Sequence, residues 1–174
     1  AGINKFKNNQ GVNAGAVYNG AGSVISSAGD GSSVTFESNY AFAVPGTEGG
    51  GAIVNEGMIN FETAVFDSNL SDKDGGAVFN SAGGVFTLKN SSFNMNSASA
   101  SGGAVFNNAA MNLNSADFKK NKSVNYGGAV YNGAGSVMAF SAGKAVFSQN
   151  NSSNVSGSAS GGAIASENAA LTFT

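Results

Sequence analysis

Two short words alternate along the whole chain, and no feature restricts its fold more. The first is Phe-x-x-Asn, at Phe6 and Asn9, Phe36 and Asn39, Phe66 and Asn69, Phe93 and Asn96, Phe118 and Asn121, and Phe147 and Asn150. The second is Gly-Gly-Ala-(Val/Ile), from Gly50, Gly75, Gly102, Gly127 and Gly161, with a degenerate copy Ala14-Gly15-Ala16-Val17. Every Phe-x-x-Asn is followed by one copy of the second word. Successive phenylalanines stand 30, 30, 27, 25 and 29 positions apart. A fixed period of this size is the mark of a stacked repeat architecture.

The cleanest unit, Gly102 to Tyr126, reads as three short strands: Gly-Gly-Ala-Val-Phe-Asn, then Met111-Asn112-Leu113, then Ala116-Asp117-Phe118-Lys119. Apolar residues alternate along the second and third, which is strand periodicity, and helical spacing is absent. Gly, Asn and Ser fill the corners. Such a unit cannot close a core alone, but stacked at about 4.8 Å per turn with parallel pairing it can. The expected fold is therefore all-β: a parallel, right-handed β-helix solenoid of about six rungs with three short strands per rung, residues 1–174 forming one domain.

The repeated residues then acquire structural roles. Each Phe points inward and stacks on its counterparts above and below. The Asn three positions on takes a left-handed corner and bonds its own turn or the next rung. The glycines, among them Gly76, Gly103, Gly128 and Gly162, allow close backbone approach. Ala77, Ala104, Ala129 and Ala163 fill a place too tight for a larger side chain. Alternation alone leaves open whether Ala and the residue two after it face inward, or the Val/Ile between them does. The constant aliphatic character of the Val/Ile position favours the latter.

Composition narrows the function. Gly, Ala, Ser and Asn make up 102 of 174 residues, and the charged fraction is only 10%. The chain has no His, Cys, Trp or Arg. A Ser-His or Cys-His nucleophile cannot be built, and most zinc, copper and iron sites are excluded. We expect no catalytic residues, no metal and no cofactor. The net charge of −2 disfavours nucleic acid as a partner, and no apolar run approaches a membrane span. With 41% apolar residues recurring in register, a flexible low-complexity tract is also excluded.

The paired words Gly-Gly-Ala-(Val/Ile) and Phe-x-x-Asn resemble the repeats of polymorphic outer membrane proteins, which belong to the autotransporter class. The resemblance runs from Phe6 to Ile164. It implies a secreted, surface-exposed β-helical passenger acting in adhesion, and it transfers no binding residue. The degenerate first copy departs from the pattern. No translocator barrel is legible, so the chain is not expected to anchor itself in a membrane.

Function is then expected at long corners or at the ends. The corner after Glu37 holds Tyr40, Phe42, Val44 and Pro45, the one proline. It reads either as an aromatic contact loop or as a loop folded back on the rod. A second long corner runs from Asn150 to Ser160. Asp67, Asp72 and Asp74 read as a solvated acidic turn in preference to a Ca²⁺ site, because Lys73 stands between two of them. Lys119, Lys120 and Lys122 form the one basic cluster, which reads as a solvated corner in preference to a site for an anionic glycan or a membrane surface. The expected partner is a host-cell or matrix surface ligand, or copies of the chain itself stacked end to end as an extracellular fibre. The chain, opening on Ala1, reads as a segment of a longer passenger or as a filament subunit.

Overall fold

A computed structural model describes all residues except 1, 2, 28, 30, 43, 142 and 154–159. The chain winds as a β-solenoid of about 5 turns with three strands per turn. Two of its sheets each stack six strands, the six rungs expected, and five turns separate the first rung from the last. Every strand pairs in parallel with its counterpart one turn away.

The three sheets divide the turn unevenly. The broad sheet carries Met58–Asp67, Val85–Asn94 and Ala110–Lys119 at its centre. Here the second and third expected strands are one continuous ten-residue strand. They separate only towards the ends of the rod, as Val24–Ser26 with Ser33–Glu37 and as Val137–Phe140 with Ala145–Ser148. The second sheet stacks Val17–Asn19, Ile53–Asn55, Val78–Asn80, Val105–Asn107, Val130–Asn132 and Ile164–Ser166. Its strands begin at the Val/Ile, so the Gly-Gly-Ala is corner and not strand. The third sheet, unforeseen from sequence, is built of two-residue strands directly after each Asn, such as Leu70–Ser71 and Lys122–Ser123. Two residues are too few to show an alternation.

The phenylalanines of the first word form one inner column. Consecutive rings from Phe6 to Phe147 lie 4.6 to 5.0 Å apart, within 8° of parallel. Phe36, Phe66, Phe93 and Phe118 are fully buried, each ring contributing roughly 1.5–3 kcal/mol of transfer free energy. Ile59, Phe86, Met111 and Met138 fill the rest of the tube with Leu88, Leu113 and Phe140. The Val/Ile position does face this core: Ile53, Val78, Val105 and Val130 are all in it, beside Ala52, Ala77, Ala104 and Ala129.

The second glycine of each Gly-Gly explains the close spacing of that corner. A Cβ on Gly51, Gly76, Gly103 or Gly128 would lie about 2 Å from the carbonyl oxygen of the equivalent glycine one turn on. The degenerate first copy keeps this glycine, Gly15, whose Cβ would meet the Gly51 oxygen at 2.0 Å. Only the first glycine is lost there, to Ala14.

The asparagine corner differs from expectation. The left-handed residue is the one before the Asn: Asn8, Ser38, Ser68, Met95, Lys120 and Gln149 all have φ between 51° and 57°. That turn aims the following Asn9, Asn39, Asn69, Asn96, Asn121 and Asn150 into a ladder along the rod. Each Nδ2 donates to the Oδ1 of the next Asn at 2.9 to 3.0 Å. The same Oδ1 accepts the backbone N–H of the preceding Asn. The second Nδ2 proton goes to the Phe carbonyl one turn back, as from Asn96 to Phe66 at 3.0 Å.

Candidate functional site

Turns differ in length at the corner between the third and second sheets, as well as where the strands of the broad sheet separate. In three consecutive turns only three residues, 72–74, 99–101 and 124–126, join the short strand to the Gly-Gly. In the second turn residues 42–49 stand in their place. Of the other long corner, Asn150 to Ser160, residues 154–159 lie outside the described residues.

The loop at 42–49 is anchored at both sides. Tyr40 lies in the strand Tyr40–Ala41, and its Oη donates to Asp72 Oδ2 at 2.7 Å. That bond raises the phenol pKa. Lys73 Nζ donates to the carbonyls of Val44 (2.9 Å) and Thr47. Thr47 Oγ1 closes the turn on the Val44 carbonyl at 2.7 Å. Burial raises the Glu48 carboxyl, which accepts from Ser81 Oγ at 3.2 Å. Between these anchors Phe42 and Val44 remain 38% exposed, next to the exposed Pro45. The base of the loop thus folds onto the rod, and its apolar tip faces solvent. Tyr40 belongs to the base, 6.2 Å from the Phe42 ring.

The three aspartates are not brought together. Asp67 accepts from Asn94 Nδ2 at 2.9 Å, Asp72 from Tyr40, and Asp74 from the Ser101 N–H at 2.8 Å. Burial raises the Asp74 carboxyl. Among the described residues no three His, Cys, Asp or Glu side chains could share a metal ion. No described helix is long and apolar enough to cross a membrane.

The lysine cluster occupies a different corner. Lys119 ends the long strand Ala110–Lys119, Lys120 is the left-handed residue, and Lys122 opens the strand Lys122–Ser123. Lys120 and Lys122 line a hollow of about 550 Å³ with Met95, Asn96, Ser97 and Gln149.

Sequence reasoning missed a second asparagine ladder, on the Asn two after each Val/Ile. Asn19, Asn55, Asn80, Asn107 and Asn132 are buried. Each of the first four donates from Nδ2 to the Oδ1 of the next at 2.7 to 2.8 Å. The signal was present as (Val/Ile)-x-Asn in every turn but the last, where Ser166 stands at the position. An outer aromatic column, Phe79–Phe106–Tyr131 at 4.8 Å spacing, also went unread. Tyr131 Oη caps it with a 2.7 Å bond to Glu167, and burial first, then this bond, pushes the phenol up to about 12.

Residues 33–56 match the family model described as the Chlamydia polymorphic membrane protein repeat. The matched stretch holds one Phe36–Asn39 word, the inserted corner and one Gly-Gly-Ala-Ile word. No curated protein and no solved structure matches the chain.

Proposed function

We propose that this chain is a non-catalytic, secreted surface β-helix acting in adhesion, in the manner of an autotransporter passenger. The observation that carries the reading is the anchored apolar tip of the second-turn corner. Phe42 and Val44 are held out to solvent by the Tyr40–Asp72 bond and the Lys73 bonds. An exposed apolar tip on a preorganised base is the form of a protein-contact site. The resemblance of the repeat to a membrane-protein family of the bacterial surface supports the location.

The test is attachment of the purified chain to cultured-cell monolayers and to matrix-coated plates. Saturable attachment is expected, lost by about tenfold or more when Phe42→Ser and Val44→Ser are combined, as for a central contact pair. Failure of the wild-type chain to attach to any surface overturns the reading.

A second reading is end-to-end stacking into a fibre. The unchanged parallel register from turn to turn favours it, since one rung pairs with the next in the same way throughout. Light scattering with negative-stain microscopy over a concentration series tests it, and a monomer at all concentrations overturns it.

A further inference from the structure

Charge is segregated along the rod. Eight of the ten acids lie at or before Asp74; beyond it stand five lysines against Asp117 and Glu167. Three of those five lysines occupy one corner of one turn, in three adjacent columns of the solenoid. The register gives the residues that occupy the same places elsewhere. Lys119 aligns with Asn94 and Ser148, and Lys122 with Ser97 and Asn151. Lys120 shares its left-handed corner with Met95 and Gln149. The fold therefore accepts uncharged residues at all three places and has no need of a lysine at any of them. A lysine also gains nothing from a left-handed backbone, which costs a non-glycine residue about 1 kcal/mol.

Among the described residues no carboxylate pairs with these three ammonium groups, whereas Lys5, Lys7 and Lys89 all hold a glutamate. The hollow beside Lys120 and Lys122 is lined by no acid. It offers instead the Met95 side chain, the Ser97 side chain and the amide of Gln149. Cations, neutral hydrogen-bonding groups and one soft apolar surface are what a sulfated or carboxylated sugar ring requires: charge for its anion, polar groups for its hydroxyls, and a thioether for its C–H face.

We propose that the corner formed by Lys119, Lys120 and Lys122, with the hollow lined by Met95 and Gln149, binds an anionic polysaccharide. The inference rests on the surface location argued above and adds to it a ligand class and a second contact. A nucleic-acid groove would need bases stacked on exposed rings, and no aromatic residue lines this hollow.

The experiment is calorimetric titration of the 174-residue chain with a heparin octasaccharide. Titrations with a neutral dextran octasaccharide, with vesicles containing one-fifth phosphatidylserine, and with a single-stranded oligonucleotide run in parallel. The variant combines Lys119→Ser, Lys120→Gln and Lys122→Asn, the residues of the next turn at the same places. Its melting curve verifies that the fold is retained. Binding of the octasaccharide is expected, weakening as salt rises. The triple variant should lose about tenfold or more, while Lys89→Gln, which removes a paired lysine, should lose nothing. No octasaccharide binding, or equal binding by the triple variant, overturns the proposal. So does equal or tighter binding of vesicles or oligonucleotide through the same lysines. Attachment to cells without octasaccharide binding would leave the adhesion reading standing and this one fallen; the reverse result would do the opposite.

Discussion

Two asparagine ladders run side by side through the same turns, one after the inner phenylalanine column and one after the Val/Ile column. They use the same side chain differently. In the Phe-x-x-Asn ladder each Oδ1 takes two bonds from the turn before, one from Nδ2 and one from the backbone N–H. In the Val-x-Asn ladder each Oδ1 takes the Nδ2 bond alone from the turn before, and the second Nδ2 proton goes to a carbonyl beyond the next corner, as from Asn80 to Ala110 at 3.0 Å. The first ladder therefore supplies the partner of a main-chain N–H that the backbone bonds on either side of it leave unpaired. The second fastens side chains at the end of strands whose main chain is already paired. Position decides what an asparagine is worth here, and residue type does not.

The largest effect is expected at the middle of the first ladder. Asn96→Ala strips the acceptor from the Asn69 N–H and Nδ2, and the donors from the Phe66 carbonyl and Asn121 Oδ1. Leaving the Asn69 N–H without its acceptor and the other buried groups each one bond short should cost about 4 kcal/mol, read as a shift in the urea midpoint. Asn80→Ala takes the acceptor from the Asn55 Nδ2 but from no backbone N–H, and should cost about 2 kcal/mol by the same measurement. Equal losses at the two sites would break the comparison. Asn150→Ala, at the half-buried end of the first ladder, should cost about 1 kcal/mol, because water replaces part of what is lost.

The smallest effect is electrostatic and separates ladders from charges. Lys5 and Lys7 both hold the Glu37 carboxylate and lower its pKa from 4.5 to about 2. A lowered carboxyl stabilises the fold fully above its unfolded value and loses that contribution as pH falls through the folded value. Melting temperatures of the wild type and Glu37→Gln should therefore differ slightly above pH 4.5 and converge towards pH 2. Amides do not titrate, so the ladder variants should keep their deficits relative to the wild type over the same range.

The parts legible beforehand were those written in repeated words. Phe36 and Phe66 announced an inner column because a large ring recurred at one spacing, and Val78 and Val105 announced their burial by staying aliphatic. The asparagine of Val-x-Asn escaped notice because it ends a strand, where a polar residue is expected for other reasons. The third sheet escaped because strands such as Tyr40–Ala41 and Lys122–Ser123 share no residue type. The backbone twist at Ser68, Met95 and Lys120 was displaced by one residue in the reading, since asparagine is the usual occupant of such a conformation and stands next to it in each turn. Of the corner at 42–49, the apolar tip was legible. Its anchors Asp72, Lys73 and Ser81 were not, because they come from the following turn.

Parallel in-register pairing sets the direction of the bonds between turns: all of them lie along the rod. A pull on its two ends therefore loads the turns in series, and the weakest terminal turn carries the same tension as the strongest central one. Such a rod should lengthen one turn at a time and dissipate work with each opening, while a load across it meets the stacked rings of the inner column side-on. A rod built this way is compliant along its axis and stiff against bending. Each released turn adds 25 to 30 residues of slack before the next one yields.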